Sequence, residues 1–492
     1  MTHTSPQTSP LQDSASQRTG ARPGHNSARH HTCSPASDQT RRHTRRRTRT
    51  LVSAAALTAA GLVLSACSGQ SGAGQSDSDA KPSGGGSASS SASQGTLGST
   101  GTEQARAMPR LVATYEGGIM TLDAATLKTV KDEKKDGLLR VNPAGDGRHA
   151  FVTTGEGFQL LDTGTWSVPH GDHSHYYTAP PQLTPATVKA DKAGHVVSHA
   201  GRAALYADGT GTTTLLDLAA LAKQDPNGEI KDAGSYTAPT AHHGVSVPLE
   251  DGRLLTTRTQ GEERVGVTLL DKDLKTEAGH SDQCPSVHGE AAAQGGAVVF
   301  GCEGGVLVFK DGRFTLAKAP GGHGRVGTQA GSEASPIVLG DFKVKADGGK
   351  REHPTKVSLT DTRTATMRVV DLPASYSFRS LGRASNGDAL VLGTDGKLRV
   401  IDPSSGRVTR EIPVTAPWTE PEEWQAARPT LFTDGQTAFV TEPTSRKLHR
   451  VDLRTGKVTA TTTTPQPLNE LTGVTGVNPE SKGREKAGSH DH

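Results

Sequence analysis

Histidine is the residue type whose placement in this chain first points to chemistry. Three His-Gly pairs, His243-Gly244, His288-Gly289 and His323-Gly324, follow one another at spacings of 45 and 35 residues. A second group is local and reads His170-Gly171-Asp172-His173-Ser174-His175-Tyr176-Tyr177. Neutral imidazoles are good ligands for borderline metals, and three of them with one further donor make a tetrahedral site of the kind zinc takes. In an extended segment His173 and His175 project to the same face. They would then act as a two-toothed claw, with Asp172 as a ligand or as the group that orients a ring. His242 is a neighbouring candidate, and the carboxy end, Ser489-His490-Asp491-His492, carries one more His-x-His. Isolated histidines are more often hydrogen-bonded or surface groups, and His149, His280, His353 and His449 are read that way. His195 and His199 stay ambiguous, because same-face spacing in a strand is also structural. Turn chemistry alone would explain any single His-Gly pair, whereas three at regular spacing argue for metal.

The elements that must position these histidines are strands. From about Arg110 to Val477 the chain is rich in glycine and poor in aromatic residues. Short β-branched runs recur, punctuated by Asp-Gly, Asn-Gly or Gly-Gly turns. Asp146-Gly147 precedes His149 to Thr153, Asp251-Gly252 precedes Leu254 to Thr257, and Gly295-Gly296 precedes Ala297 to Phe300. Asn386-Gly387 and Asp434-Gly435 introduce Ala389 to Leu392 and Ala438 to Thr441. A further strand ending in aspartate follows many of these: Phe158 to Asp162, Thr268 to Asp271, Lys397 to Asp402 and Leu448 to Asp452. The unit is strand, turn, strand, Asp-turn, strand, repeating every roughly 40 to 60 residues, the period of propeller blades. The fold class is therefore all-β, a single-domain β-propeller over residues 108–478. Seven units follow Leu139, and the opening piece from Arg110 to Val130 lacks a first strand that Leu471 to Val477 would supply. That predicts eight blades, with a seven-bladed ring of one irregular unit as the neighbouring count. One helical stretch stands out, Leu215 to Lys223. The first strand of each blade lines the central channel, so the His-Gly pairs of adjacent blades would converge at one end of the axis.

Upstream of the propeller the sequence reads as an address. Arg41, Arg42, Arg45, Arg46, Arg47 and Arg49 precede an unbroken small and apolar run from Leu51 to Ala66. That is the pattern of a secretory signal, and it is shorter than the roughly 20 residues of a spanning helix. It ends Leu64-Ser65-Ala66-Cys67, which resembles a lipobox with Cys67 as the lipidated first mature residue. An ordinary signal peptide with a chance cysteine is the rival reading. Residues 67–107 then form a Ser/Gly-rich tether, too polar to bury a core. About 40 such residues reach on the order of 35 Å as a flexible coil. Residues 1–66 hold nine arginines and two aspartates, so their removal takes the formal charge from +3 to −4. The basicity belongs to the signal and argues nothing for nucleic acid. The expected location is extracytoplasmic, on the outer face of the cell membrane through a lipid anchor only, as a monomer. Both Sec and twin-arginine export stay open. Residues 1–40 are low-complexity leader, and residues 479–492 read as a disordered tail.

Cysteine use agrees with export. Cys33 would leave with the signal and Cys67 would take lipid, so Cys284 and Cys302 remain. The segment between them reads as a hairpin turning at Gln294-Gly295-Gly296, which places the two nearly opposite one another. A disulfide is expected in an oxidising compartment, contributing about 3 kcal/mol by loop entropy. A Cys/His metal site, which needs reduced thiols, is the alternative.

Several of these motifs together resemble one family. Asp172-His173-Ser174-His175-Tyr176-Tyr177, Ala241-His242-His243-Gly244-Val245, and Cys284-Pro285-Ser286-Val287-His288-Gly289-Glu290 with Gly301-Cys302 look like AztD. Its members are extracytoplasmic zinc metallochaperones that serve a zinc ABC importer. The resemblance covers about Arg110 to Val477. It implies a β-propeller that binds Zn2+ and passes it to the solute-binding protein of the importer, and no enzyme. It carries over His173, His175, His243, His288 and His323 as zinc ligands. The long lipoprotein leader departs from the soluble periplasmic members. Two other function classes stand beside this one. A zinc site with an open position could activate water for hydrolysis, with Glu290 as the base, although no His-Glu-x-x-His, Gly-x-Ser-x-Gly or phosphate loop is present. A propeller that binds protein or wall polymer without metal is the other.

Overall fold

The computed structural model describes residues 101–344 and 352–479. Residues 1–66, Cys67, most of the tether and the terminal His490 and His492 lie outside the described residues. No helix among the described residues is long and apolar enough to cross a membrane.

Among the described residues, eight four-stranded antiparallel sheets make the ring, so the propeller expected from the sequence has eight blades. Blade 1 is closed by strands from the two ends of the propeller segment. Leu471–Val474 supplies its inner strand and pairs Arg110–Tyr115, in the register Arg110 to Val474 through Ala113 to Leu471. Gly118–Asp123 and Thr129–Lys134 complete it. Blade 2 uses Arg140–Pro143, His149–Thr154, Gly157–Asp162 and Gln182–Lys189. Its third and fourth strands are separated by an inserted hairpin, Thr165–His170 and His173–Thr178. Blades 3 to 8 follow without rearrangement, their inner strands being Ala193–His199, Ser246–Pro248, His288–Ala293, Gln329–Ala330, Leu381–Arg383 and Leu431–Asp434.

Burial follows strand position. In blade 1 the second and third strands are buried throughout, while Thr129–Lys134 on the rim is almost wholly exposed. The apolar side chains of these middle strands interlock between neighbouring blades. Leu111, Met120 and Leu122 of blade 1 pack with Phe439 and Leu448 of blade 8. Phe151, Phe158 and Leu160 of blade 2 meet Leu205 and Leu216 of blade 3, and Leu255 and Val267 of blade 4 meet Val298, Phe300 and Leu307 of blade 5. The core is thus a ring of inter-blade layers, each removing about 25 cal/mol of apolar transfer cost per Å² buried. Several aspartates that end third strands close their turns in the same way. Asp402, Asp452 and Asp361 each accept a backbone N–H two residues on, from Ser404, Arg454 and Arg363. An aspartate can mimic a backbone turn in this manner.

The helix expected over Leu215 to Lys223 shrinks to Leu218–Leu221. Leu215 and Leu216 are taken by the strand Thr212–Asp217 and buried in the inter-blade core. Asp217 then caps the short helix through the Ala220 N–H, at 2.8 Å. Cys284 and Cys302 are joined in a disulfide with Cα atoms 4.9 Å apart, across the base of the hairpin His288–Ala293 and Ala297–Cys302.

Strand alternation assigns every connection to a face. Inner strands begin on what we call the upper face. Connections after second and fourth strands lie there, and those after first and third strands lie on the lower face. The inserted hairpin of blade 2 follows a third strand, so it stands on the lower face. The starts of the inner strands of blades 3, 4 and 5 are on the upper face.

Candidate metal centres

Two groups of histidines converge among the described residues, and they occupy opposite faces. On the upper face His195, His243 and His288 come from three successive blades, with their ligand atoms all within 4.8 Å of one another. His195 Nε2 lies 3.4 Å from His243 Nε2. Two zinc-bound nitrogens at about 2.0–2.1 Å in tetrahedral geometry are separated by about 3.3–3.4 Å, so this pair stands at metal-ligating spacing. Ring centroids of His243 and His288 are 5.1 Å apart, and those of His195 and His288 are 5.8 Å apart.

Two of the three rings are oriented from behind. His243 Nδ1 donates to Asp208 Oδ2 at 2.6 Å. Asp208 sits just past the second strand of blade 3, and Gly194 leaves room for it, since a Cβ there would meet Asp208 Oδ1 at 2.5 Å. His288 Nδ1 donates to the Gly327 carbonyl at 2.6 Å. That carbonyl approaches because Gly289, at φ 68°, has no Cβ to meet it at 2.5 Å. Buried Asp341 fixes the same loop by accepting from the Gly327 and Thr328 N–H groups, at 2.6 and 2.9 Å. With the proton held on Nδ1, each ring keeps its Nε2 lone pair for a ligand, the arrangement that metal-binding histidines generally show.

Burial keeps two of the rings, those of His195 and His288, in the neutral form. Burial pushes His195 well below the ordinary imidazole value, and the neighbouring His243, His288, Arg140 and Arg264 add to the shift. His288 is lowered to about 4, by burial first, with the Gly327 acceptor opposing and His243, Arg264 and Arg325 reinforcing. A neutral imidazole is the ligating form, so no proton need be displaced at neutral pH. The triad opens into a cavity of about 390 Å³ lined also by Phe378, Glu420 and Trp424, which leaves room for a fourth donor.

On the lower face His170, His173 and His175 form the second group. The turn at Gly171, φ 60°, folds His170 opposite His173. His170 Nδ1 lies 3.2 Å from His175 Nε2, and the ring centroids are 5.1 to 5.4 Å apart. His173 Nδ1 meets Asp172 Oδ1 at 3.1 Å, and His175 Nδ1 meets Glu103 Oε1 at 2.7 Å. Two of these three residues, His170 and His173, are exposed, against His243 alone in the triad; the His173 side chain is 59% open to solvent and that of His175 36%, against 40% for His243.

The structure thus brings His243 and His288 together, and separately His173 and His175, but it does not place His323 with either group. His323 lies six residues before its inner strand, Gln329–Ala330. The intervening Arg325 is bridged to Glu303 and Lys343, which holds this stretch over blade 5, with His323 Nδ1 3.6 Å from Glu303. His195 takes the third position instead. Its signal was its spacing of 48 residues before His243, obscured because no glycine follows it. His170 was within the motif but sat on the far side of the turn. His242 joins neither group. It contacts Thr257 Oγ1, the Tyr206 hydroxyl and the Thr240 carbonyl. His149, His280, His353 and His449 each pair with a carboxylate, and His199 donates to the Pro248 carbonyl. Glu290 does not join the triad, because the bulge at Gly289 breaks the strand alternation after His288.

No family model matches the sequence. A curated relative, the zinc chaperone AztD of Citrobacter koseri, is 25% identical over 334 residues, which cover 66% of this chain and 74% of that protein. Its name describes a carrier of zinc and not a catalyst. The crystal structure of Citrobacter koseri AztD superposes with a TM-score of 0.65 at 22% identity, over 75% of this chain and 98% of that one. The apo form of the same protein gives 0.63 at 21% identity, with the same coverage. In sequence and in propeller fold alike, this chain is similar to AztD.

Proposed function

We propose that this chain is a zinc chaperone that works outside the cytoplasm, tethered through lipid on Cys67, and hands zinc to the solute-binding protein of a zinc ABC importer. The observation that carries the reading is the upper-face triad. His195, His243 and His288 offer three nitrogens within 4.8 Å, two of the rings being locked by Asp208 and the Gly327 carbonyl. The similarity to a protein named a zinc chaperone supports zinc as the cargo, since imidazole sites of this kind also accept copper and nickel.

Capture and release need different features, and both have a counterpart here. With the rings of His243 and His288 already oriented, zinc binds with little rearrangement. The position toward the open cavity is the one at which an incoming ligand from the acceptor can exchange. Once one acceptor ligand is bound, the three imidazoles can leave in turn, so zinc never passes through free solution. The hairpin group is a second, more exposed site on the opposite face, suited to rapid exchange.

The test is transfer from the zinc-loaded chain to a purified zinc solute-binding protein. Direct hand-over predicts a rate that rises with acceptor concentration and exceeds spontaneous zinc loss to a chelator. A rate independent of acceptor and equal to spontaneous loss overturns the proposal.

A further inference from the structure

The lower-face histidines do not stand alone. A short strand, Thr102–Gln104, lies along the outer edge of the inserted hairpin and makes it a three-stranded sheet. Its register pairs Thr102 with Thr178, Glu103 with Tyr177 and Gln104 with Tyr176. It belongs to the segment that enters the propeller at Arg110, so it is the root of whatever precedes the ring. Three residues on an exposed edge form a marginal strand, because a few backbone hydrogen bonds at about 0.5–1.5 kcal/mol net barely offset the ordering cost. Specific side-chain contacts therefore decide whether it docks. Gln104 Nε2 donates to Thr178 Oγ1 at 2.9 Å. Gly101 lies so close to Trp166 that a Cβ would come within 2.5 Å of the ring, and Trp166 itself stacks on Tyr177 with centroids 5.7 Å apart. The remaining contact is Glu103, whose Oε1 accepts from His175 Nδ1 at 2.7 Å.

That contact joins the strand to the histidine group. With its proton on Nδ1, His175 turns the Nε2 lone pair toward His170 Nδ1, 3.2 Å away. We propose that Glu103 is a positioning residue of the hairpin metal site, so that zinc binding to His170, His173 and His175 and docking of Thr102–Gln104 on the hairpin reinforce one another. The inference rests on the reading that the hairpin group binds zinc. A metal ion on Nε2 makes the Nδ1 proton more acidic, which strengthens its bond to the Glu103 carboxylate. The carboxylate in turn raises the basicity of Nε2. Coupling of two binding events is reciprocal, so the factor by which docking tightens zinc is the factor by which zinc tightens docking. Loss of such an outer carboxylate typically costs 10- to 100-fold in metal affinity. The consequence is a metal-dependent clamp. Loaded with zinc, the lower face is held fast to the strand Thr102–Gln104; unloaded, that strand is released.

The experiment uses the chain with His243→Ala and His288→Ala, so that zinc counts report the hairpin alone, together with the unaltered chain. Zinc affinity is measured by chelator competition, and amide exchange of residues 101–107 is followed with and without zinc. Glu103→Ala is expected to weaken the hairpin site about tenfold and to abolish the slowing of exchange by zinc. Glu103→Gln, which keeps an acceptor oxygen without the charge, should fall between. In the unaltered chain zinc should slow exchange at 102–104 by a similar factor, and His170→Ala with His173→Ala should remove that effect. A hairpin that binds zinc with equal affinity in the Glu103→Ala chain, and with exchange at 102–104 unchanged by zinc, overturns the clamp alone. A His243→Ala, His288→Ala chain that binds no zinc overturns the hairpin site and the clamp with it, while leaving the upper triad untouched.

Discussion

Replacing Asp208 with asparagine removes one charge and leaves the shape of the upper site almost unchanged. The Asp208 side chain is 21% exposed, and its Oδ2 accepts from His243 Nδ1 at 2.6 Å. A charge-assisted hydrogen bond of this kind is worth about 1.5–3 kcal/mol, against about 1 for a neutral one. The difference, about 0.5–2 kcal/mol, acts on the metal-bound form more than on the free one, because the bound ring presses its more acidic Nδ1 proton harder onto the acceptor. Arg140 and Arg325 line the same cavity and repel a dication, so the lost negative charge is felt in the same direction. Each 1.4 kcal/mol is tenfold, and outer-carboxylate losses elsewhere run to 10- to 100-fold. We therefore expect zinc affinity at the upper site to fall about tenfold or more in Asp208→Asn, with thermal stability of the zinc-free chain nearly unchanged. The assay is chelator competition in a chain whose hairpin site is removed by His170→Ala, His173→Ala and His175→Ala. An affinity within twofold of the parent would refute the reasoning, since it would mean that the orientation and basicity of His243 do not matter to the metal.

The other expectations concern the same two faces. His173→Ala with His175→Ala should slow zinc transfer to the acceptor while the upper site stays occupied; unchanged transfer kinetics would remove the hairpin from the exchange route. His195→Ala should lower the affinity of the upper site by at least tenfold, whereas His323→Ala should leave it unaltered, as read by the same competition titration. The zinc-free chain should lose stability as the pH falls from about 6.5 toward 4. His288 is lowered to about 4 in the folded chain, so in that window the unfolded chain binds a proton that the native ring refuses. The shift of about 2.5 pH units at 1.36 kcal/mol each gives about 3 kcal/mol from His288. Denaturant titrations across this range measure it, and a flat profile would contradict the burial of the ring.

The ring itself was legible because its signals are local and repeated. Turn glycines and terminal aspartates mark the strands, and the missing first strand of blade 1 pointed to the closure that Leu471–Val474 makes with Arg110–Tyr115. The disulfide was legible for the same reason, since the turn at Gly295-Gly296 sets Cys284 and Cys302 at the base of one hairpin. The site was only half legible. His243 and His288 begin or just precede inner strands, so sequence spacing and axial position agree. His323 has the same His-Gly signature, but Arg325 is pinned by bridges to Glu303, Gly305 and Lys343. Sequence spacing holds no record of those bridges. His195 lacks the signature and is placed by the strand Ala193–His199. Asp208, the Gly327 carbonyl and Glu103 orient rings 35, 39 and 72 residues away, contacts that only the closed ring and the inserted hairpin create. The opposite placement of the two histidine groups follows from counting strands within blade 2, which needs the inserted hairpin to be recognised as an insertion.

Zinc content after exhaustive dialysis is the most direct test of the central claim, measured on the chain as purified and on the chain with His195→Ala, His243→Ala and His288→Ala. Tightly held zinc, with sub-micromolar affinity, is expected in the first chain. Loss of the tight component is expected in the second, with the propeller still folded by circular dichroism. A parent chain that retains no metal and shows no sub-micromolar zinc affinity, or a triple variant that binds zinc as tightly as the parent, would contradict it.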